Sequence, residues 1–317
     1  MIPKRTVIIG LTAVVLGAGW WRAGRAQQTG WTLWVDAASG ETTEDGSRAF
    51  PFKRINKALG AARPGSRIRV RAGEYRENLI LGDGLSLVGE GLPVVRAADP
   101  SQPVVIMRGR TILSSFRVTG GEDGIIVDVN TNARILDCEI VDNADDGIGF
   151  ERAREPGQTP ATVHIINCLV SGNRDGIDLE GTRGVVRSCR LIKNRDDGLD
   201  YDGDTDCNAI DNEIRDNRDD GIEIRLERRT WARIQRNIIT GNGEDGIEII
   251  NTPVEGSLEN RVRIVRNTIR ENARYGIGGV DQVTEEVKDG LVIAGVSIRR
   301  NVVESNRKGQ VAGAFQP

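Results

Sequence analysis

Six carboxylates stand within eleven residues at Asp196, Asp197, Asp200, Asp202, Asp204 and Asp206, inside the segment NRDDGLDYDGDTD. Carboxylates this dense repel one another, and bound cations or incomplete ionisation relieve the cost. Hard oxygen donors without soft ligands suit Ca²⁺, which takes roughly six to eight oxygens in flexible geometry. A turn alone is the alternative, because Asp before Gly needs no metal to explain it. Six acids exceed what one turn requires.

The same acids recur along the chain. Asp178, Asp200, Glu223 and Glu248 each stand two places after a glycine, and Glu151, Glu180, Asp202 and Arg225 stand four places after one. Acidic residues also precede the glycines, as Asp145/Asp146, Asp175, Asp196/Asp197, Asp219/Asp220 and Glu244/Asp245. If the alternation is that of a strand, these side chains share one outward face.

The element that must present them is a repeat. EDGIIV, DDGIGF, RDGIDL, DDGLDY, DDGIEI, EDGIEI and RYGIGG follow one another, with glycines at 124, 147, 176, 198, 221, 246 and 276, spaced 22 to 30 residues apart. That period predicts a solenoid whose repeats bury apolar faces against their neighbours. A marker position holds Cys138, Cys168, Cys189, Asn212, Asn237, Asn267 and Asn301, with apolar or small residues five and three places earlier and another two later. Five places after each marker comes Asn143, Asn173, Asn194, Asn217, Asn242, Asn272 or Asn306. Period-two alternation in three segments predicts an all-β, right-handed parallel β-helix with three strands per coil. The asparagines are expected to form a ladder in left-handed turns, and the glycines to fill a position that a Cβ would disfavour.

The start of the chain reads differently. Residues 1–26 carry Lys4 and Arg5, an apolar run and a small-x-Ala site, so they read as a cleaved export signal, with an uncleaved anchor as the rival. Residues 27–91 are expected to hold a capping segment and the first coils, 92–308 the repeats, and 309–317 a tail. Helical spacing over Pro51–Ala62, stopped by Pro64-Gly65, predicts a short helix that lids the open end. Strands are expected at Ile68–Arg71 and Leu79–Leu81, with AGEY as the turn between them.

A net charge of −3 over 317 residues argues against a nucleic-acid partner. Cys138, Cys168 and Cys189 share one inward position, a poor geometry for disulfides, and with Cys207 they are expected to be buried thiols. His164, the single histidine, alternates with inward residues and points to solvent.

The gap from glycine to the next marker is 13, 14 and 16 residues at Gly176, Gly198 and Gly221, but 21 at Gly147 and Gly246 and 25 at Gly276. The extra residues, in Glu151–Thr162, Asn251–Arg261 and Gly278–Asp289, would wall a groove over the acidic stripe. Asp178, Asp202, Glu223, Arg228 and Arg229 are the expected substrate contacts. Such a groove suits an anionic sugar polymer bridged by metal or paired with guanidinium.

WVDAASG…PFKRINKALGAARPGSRIRVRAGEYREN, followed by N-x-x-DGI coils, resembles the pectin-lyase-like right-handed parallel β-helix superfamily over about Trp31 to Asn306. NRDDGLD is similar to the calcium-binding coil of family 9 pectate lyases. The resemblance implies Asp175, Asp196, Asp197 and Asp200 as Ca²⁺ ligands. It also implies a lysine base in a Gly-apolar-Lys segment, where this chain has Gly221-Ile222-Glu223. Arg225 is the nearby substitute, since other β-helix lyases use arginine as base. The implied activity is Ca²⁺-dependent β-elimination of a uronate polymer by an exported, periplasmic or extracellular monomer. A glycan-binding or structural envelope protein is the alternative. Further ones are a hydrolase using carboxylates such as Asp200 and Asp202, and an epimerase.

Overall fold

The computed structural model describes residues 31–226, 229–252, 260–281 and 292–316. The export segment, Arg228 and most of the expected loops at Asn251–Arg261 and Gly278–Asp289 lie outside them. Among the described residues no helix is long and apolar enough to cross a membrane.

Three parallel sheets of eleven, ten and ten strands run the length of a β-helix, and each coil gives one strand to each sheet. In one coil, Thr162–Ile166 belongs to the long-strand sheet, Leu169–Ser171 to the middle sheet and Ile177–Asp178 to the glycine sheet. Strands pair with the coil before and after, as in Val163↔Gly184 and Val170↔Leu191. Alternation therefore sends Val163, Ile165, Val170 and Ile177 into a continuous apolar core and leaves His164 exposed. Each such side chain leaves water against its counterpart in the next coil, at roughly 1.5–3 kcal/mol apiece. Repeating the pattern extends the core without widening it.

The corners carry the asparagine ladder. The Asn217 amide donates to Leu191 O at 3.2 Å and to Asn242 Oδ1 at 3.0 Å, while its own Oδ1 accepts from Asn194. The ladder asparagines are not themselves left-handed, contrary to expectation. The residue before each one is, including Asp142, Lys193, Asp216 and Glu271, with φ between 56° and 60°. The same holds before the markers, at Asp137, Asn167, Ser188, Asp211, Arg236, Arg266 and Arg300. The repeat glycines are required by contact, not by φ. A Cβ on Gly198 would meet Asn217 Nδ2 at 2.6 Å and Gly221 O at 2.7 Å.

The helix forms at Ile55–Ala61 and inserts Ile55 and Ala58 into the end of the core. Its first amides find no cap of their own. Ile55 N and Asn56 N donate instead to the buried Glu77 carboxylate at 2.8 and 2.9 Å, placing an anion at the helix N-terminus. Two expectations need correction. AGEY is only half a turn, because Glu74–Arg76 is a strand of the middle sheet. The segment expected as a tail continues the cylinder at its start, because Gly309–Val311 pairs with Tyr275–Asp281 as a further rung of the glycine sheet. All four cysteines are free and buried.

Candidate functional site

The glycine sheet aligns the outward acids. Asp178 pairs in register with Asp200, Asp200 with Glu223, and Glu223 with Glu248. Side chains alternate faces along a strand, so one row of carboxylates follows from one row of apolar residues beneath it.

The corner before the strand adds two more rows. The residue immediately before each glycine is Asp in six successive coils, and one of its oxygens commonly serves structure. Asp175 Oδ1, Asp197 Oδ1 and Asp220 Oδ1 accept from the backbone N–H of Asp197, Asp220 and Asp245 at 2.9, 2.7 and 2.6 Å. That oxygen explains the turn; the second oxygen remains at Asp197 and Asp220, while that of Asp175 pairs with Arg174.

These rows meet in a depression of about 480 Å³ lined by nine carboxylates, three arginines and Ile250. The acids are Asp175, Asp196, Asp197, Asp200, Asp219, Asp220, Glu223, Glu244 and Glu248. Three consecutive coils thus supply most of the basin. Arg174 and Arg274 close its ends, each holding the repeat position that Asp196, Asp219 and Glu244 occupy between them. Arg174 pairs with Asp145, with Asp146 at 3.0 Å and with Asp175 at 3.2 Å, and Arg274 pairs with Glu244.

Burial sets the electrostatics. Desolvation, followed by Glu223 and other neighbouring acids, holds the Asp197 and Asp200 carboxyls well above the usual range. Asp220 is raised in the same way by burial and then Asp197. Burial and adjacent acids push Asp178 up to about 7 and Glu248 to about 8. Asp178 Oδ1, Asp200 Oδ1 and Asp245 Oδ2 are buried without a hydrogen-bond partner.

Four overlapping triads in the basin bring carboxylate oxygens within 4.8 Å of one another: Asp196–Asp197–Asp219, Asp197–Asp200–Glu223, Asp219–Asp220–Glu244 and Asp220–Glu223–Glu248. The second pair repeats the first one coil on. Oxygen-only donors of this density, with the orphaned Asp200 Oδ1 among them, fit a hard divalent cation such as Ca²⁺.

The expected ligand set is therefore partly regrouped. Asp196, Asp197 and Asp200 converge, but across two triads that share Asp197. Asp175 lines the basin yet stays out of the triads, its oxygens engaged by Asp197 N and Arg174. Glu223 takes its place. Of the expected substrate contacts, Asp178 and Glu223 lie on the acid row. Asp202 is beyond the lining and turns Oδ1 to the N–H of Gly203 at 2.8 Å. Arg229 is elsewhere, stacked over Trp231 at 4.1 Å. Arg174 and Arg274 were not anticipated. The signal was an arginine replacing an acid in one repeat column.

Arg225 faces the basin and pairs with Glu223 at 2.8 Å. Burial works against its charge, but Glu223, Asp200 and Asp202 outweigh it and raise the pKa. In this arrangement it is a donor fork, and taking up a proton, as a base must, is disfavoured.

Similarities to known proteins agree with this architecture. The family described as right handed beta helix region matches residues 103–258 and, overlapping, 155–314. A family described as a protein of unknown function matches residues 38–93. No curated protein matches the sequence. Among solved structures, the pectate lyase Pel9A aligns with a TM-score of 0.59 at 17% identity, over 87% of this chain and 77% of that one. The Dettilon tailspike protein aligns at 0.58 and 16% identity, over 86% of this chain and 54% of that one. An alginate lyase from Paenibacillus sp. str. FPU-7 aligns at 0.56 and 16%, over 83% and 95%.

Proposed function

We propose, from the premise that this chain belongs to the right-handed β-helix family, that it is an exported protein that binds and processes an acidic polysaccharide at the basin. One observation carries the reading: nine carboxylates and three arginines converge on one face, with Asp200 Oδ1 buried among them and left unpartnered. A surface kept only for solubility has no reason to bury its acids together. The neighbours named as pectate and alginate lyases support the substrate class.

Asp197, Asp200 and Glu223 would hold Ca²⁺, which supplies charge neutralisation for a uronate carboxylate and acidifies the adjacent C–H. Arg225 offers two parallel N–H donors to the same carboxylate. Glu223 cannot both ligate a cation and pair with Arg225. Drawing Glu223 away frees the guanidinium for substrate and removes the first of the carboxylates that raise its pKa. β-Elimination with Arg225 as base would require it first to lose its own proton; the neutral side chain would then take the C5 proton as the C4–O bond breaks and a C4–C5 double bond forms.

A second reading has an observation of its own. Asp200 is held well above the usual carboxylate range by burial and neighbouring acids, and a carboxyl kept protonated among ionised ones also suits a general acid for hydrolysis of a glycosidic bond.

Incubation with polygalacturonate, alginate and glycosaminoglycans separates them. Elimination yields products absorbing near 235 nm, lost on adding EDTA, whereas hydrolysis yields reducing ends without that absorbance. Absence of Ca²⁺ binding by calorimetry, with no product from any uronate polymer, would overturn the proposal.

A further inference from the structure

A different sheet carries the opposite charge. On the long-strand sheet Arg233 pairs in register with Arg263, and Arg263 with Ser297 of the following coil, so two guanidiniums rise from adjacent strands about 4.8 Å apart. Trp231 is the in-register neighbour of Arg261, and Arg299 lies on the next strand beside Val265. Arg233, Arg261, Arg263 and Arg299 are all exposed and line one groove of about 540 Å³.

Several other outward arginines of this cylinder are neutralised across coils. Arg108 reaches Asp128 at 2.9 Å, Arg117 reaches Glu139 at 3.1 Å, and Arg236 reaches Asp211 at 2.6 Å. Arg233, Arg263 and Arg299 have no such partner among the described residues. Like charges on neighbouring strands destabilise the pairing, and among the described residues no acid offsets them. One rim of the groove is also organised. The Trp231 ring holds Arg229 at 4.1 Å and Arg261 at 5.2 Å.

We infer that this groove is a second binding surface for a carboxylated polysaccharide, engaging it directly through guanidinium–carboxylate pairs and without a metal ion. The inference shares the substrate class of the function proposed above but rests on different residues. Charge complementarity selects the occupant: unpaired arginines on successive strands match a polymer bearing one anionic group per sugar. A nucleic acid also bears one anionic group per sugar and is the competing occupant that the displacement arm tests. The uncovered length of polymer then reaches the acidic basin with the protein already attached to it.

Retention of the full chain on immobilised polygalacturonate at pH 7 with EDTA present tests this. The wild type should be retained and released by added salt. Arg233→Gln/Arg263→Gln/Arg299→Gln should bind at least tenfold more weakly, with unchanged circular dichroism and an unchanged Ca²⁺ titration. Arg263→Gln alone, a single exposed change, should fall between the two. Equal retention of the triple variant, or no retention of the wild type in EDTA, overturns the inference. So does displacement by single-stranded DNA at lower charge equivalents than free polygalacturonate. A failed basin reading would instead appear as no Ca²⁺ response with EDTA-resistant retention intact.

Discussion

Glu223 is the residue on which the basin turns. It joins two cation triads and is the ion-pair partner of Arg225. Glu223→Gln should lower Ca²⁺ affinity by tenfold or more in calorimetry while leaving the unfolding transition cooperative, since its side chain takes no part in the ladder. The basin also predicts an inverted acid profile. Burial first, then neighbouring acids, holds Asp178 at about 7 and Glu248 at about 8. Burial likewise holds Asp219 at about 6, with Glu244 next in effect. An unfolded carboxyl titrates near ~4, so the folded chain binds more protons between roughly pH 4 and 8, and stability falls as pH rises through that window. Thermal denaturation of the EDTA-treated protein should show a lower Tm at pH 8 than at pH 5.5, and Ca²⁺ should abolish most of the difference. A flat profile would mean the acids are already compensated.

At the scale of the element, the coil is held by amides that have no alternative partner. Asn217→Ala removes the donors to Leu191 O and Asn242 Oδ1 and orphans the Asn194 amide, at a cost of about 1–3 kcal/mol for each stranded group. Urea titration should show a midpoint shift of that order. This element was legible in the sequence because the repeat fixes face and spacing together: Ile177 inward forces Asp178 outward, and Asn173 marks the corner. The site was less so. Asp175 sits at the right repeat position, but sequence does not show that Arg174 and a backbone amide already hold its oxygens. Arg174 and Arg274 look like surface charge until the coils are stacked. Left-handed turns fell one residue early, because the side chain that hydrogen-bonds along the ladder and the backbone that turns belong to neighbouring residues.

For the whole molecule, stability is a sum over neighbouring coils, and the ends are where it is exposed. The helix Ile55–Ala61 closes the N-terminal end, with Glu77 fixing its first turn. Ile55→Asp should unseat that helix and uncover strand ends and core, giving concentration-dependent association in light scattering where the wild type is expected to run as a monomer. The Arg174 and Arg274 terminators have a consequence for size. Beyond Arg274 the other two acid positions of the repeat are also lost, to Tyr275 and Gly278, so the acidic track ends there in all three rows. Converting Arg274 to Asp would not reshape the cylinder. It would add a single carboxylate at that end, and a further rung would need acids at positions 275 and 278 as well.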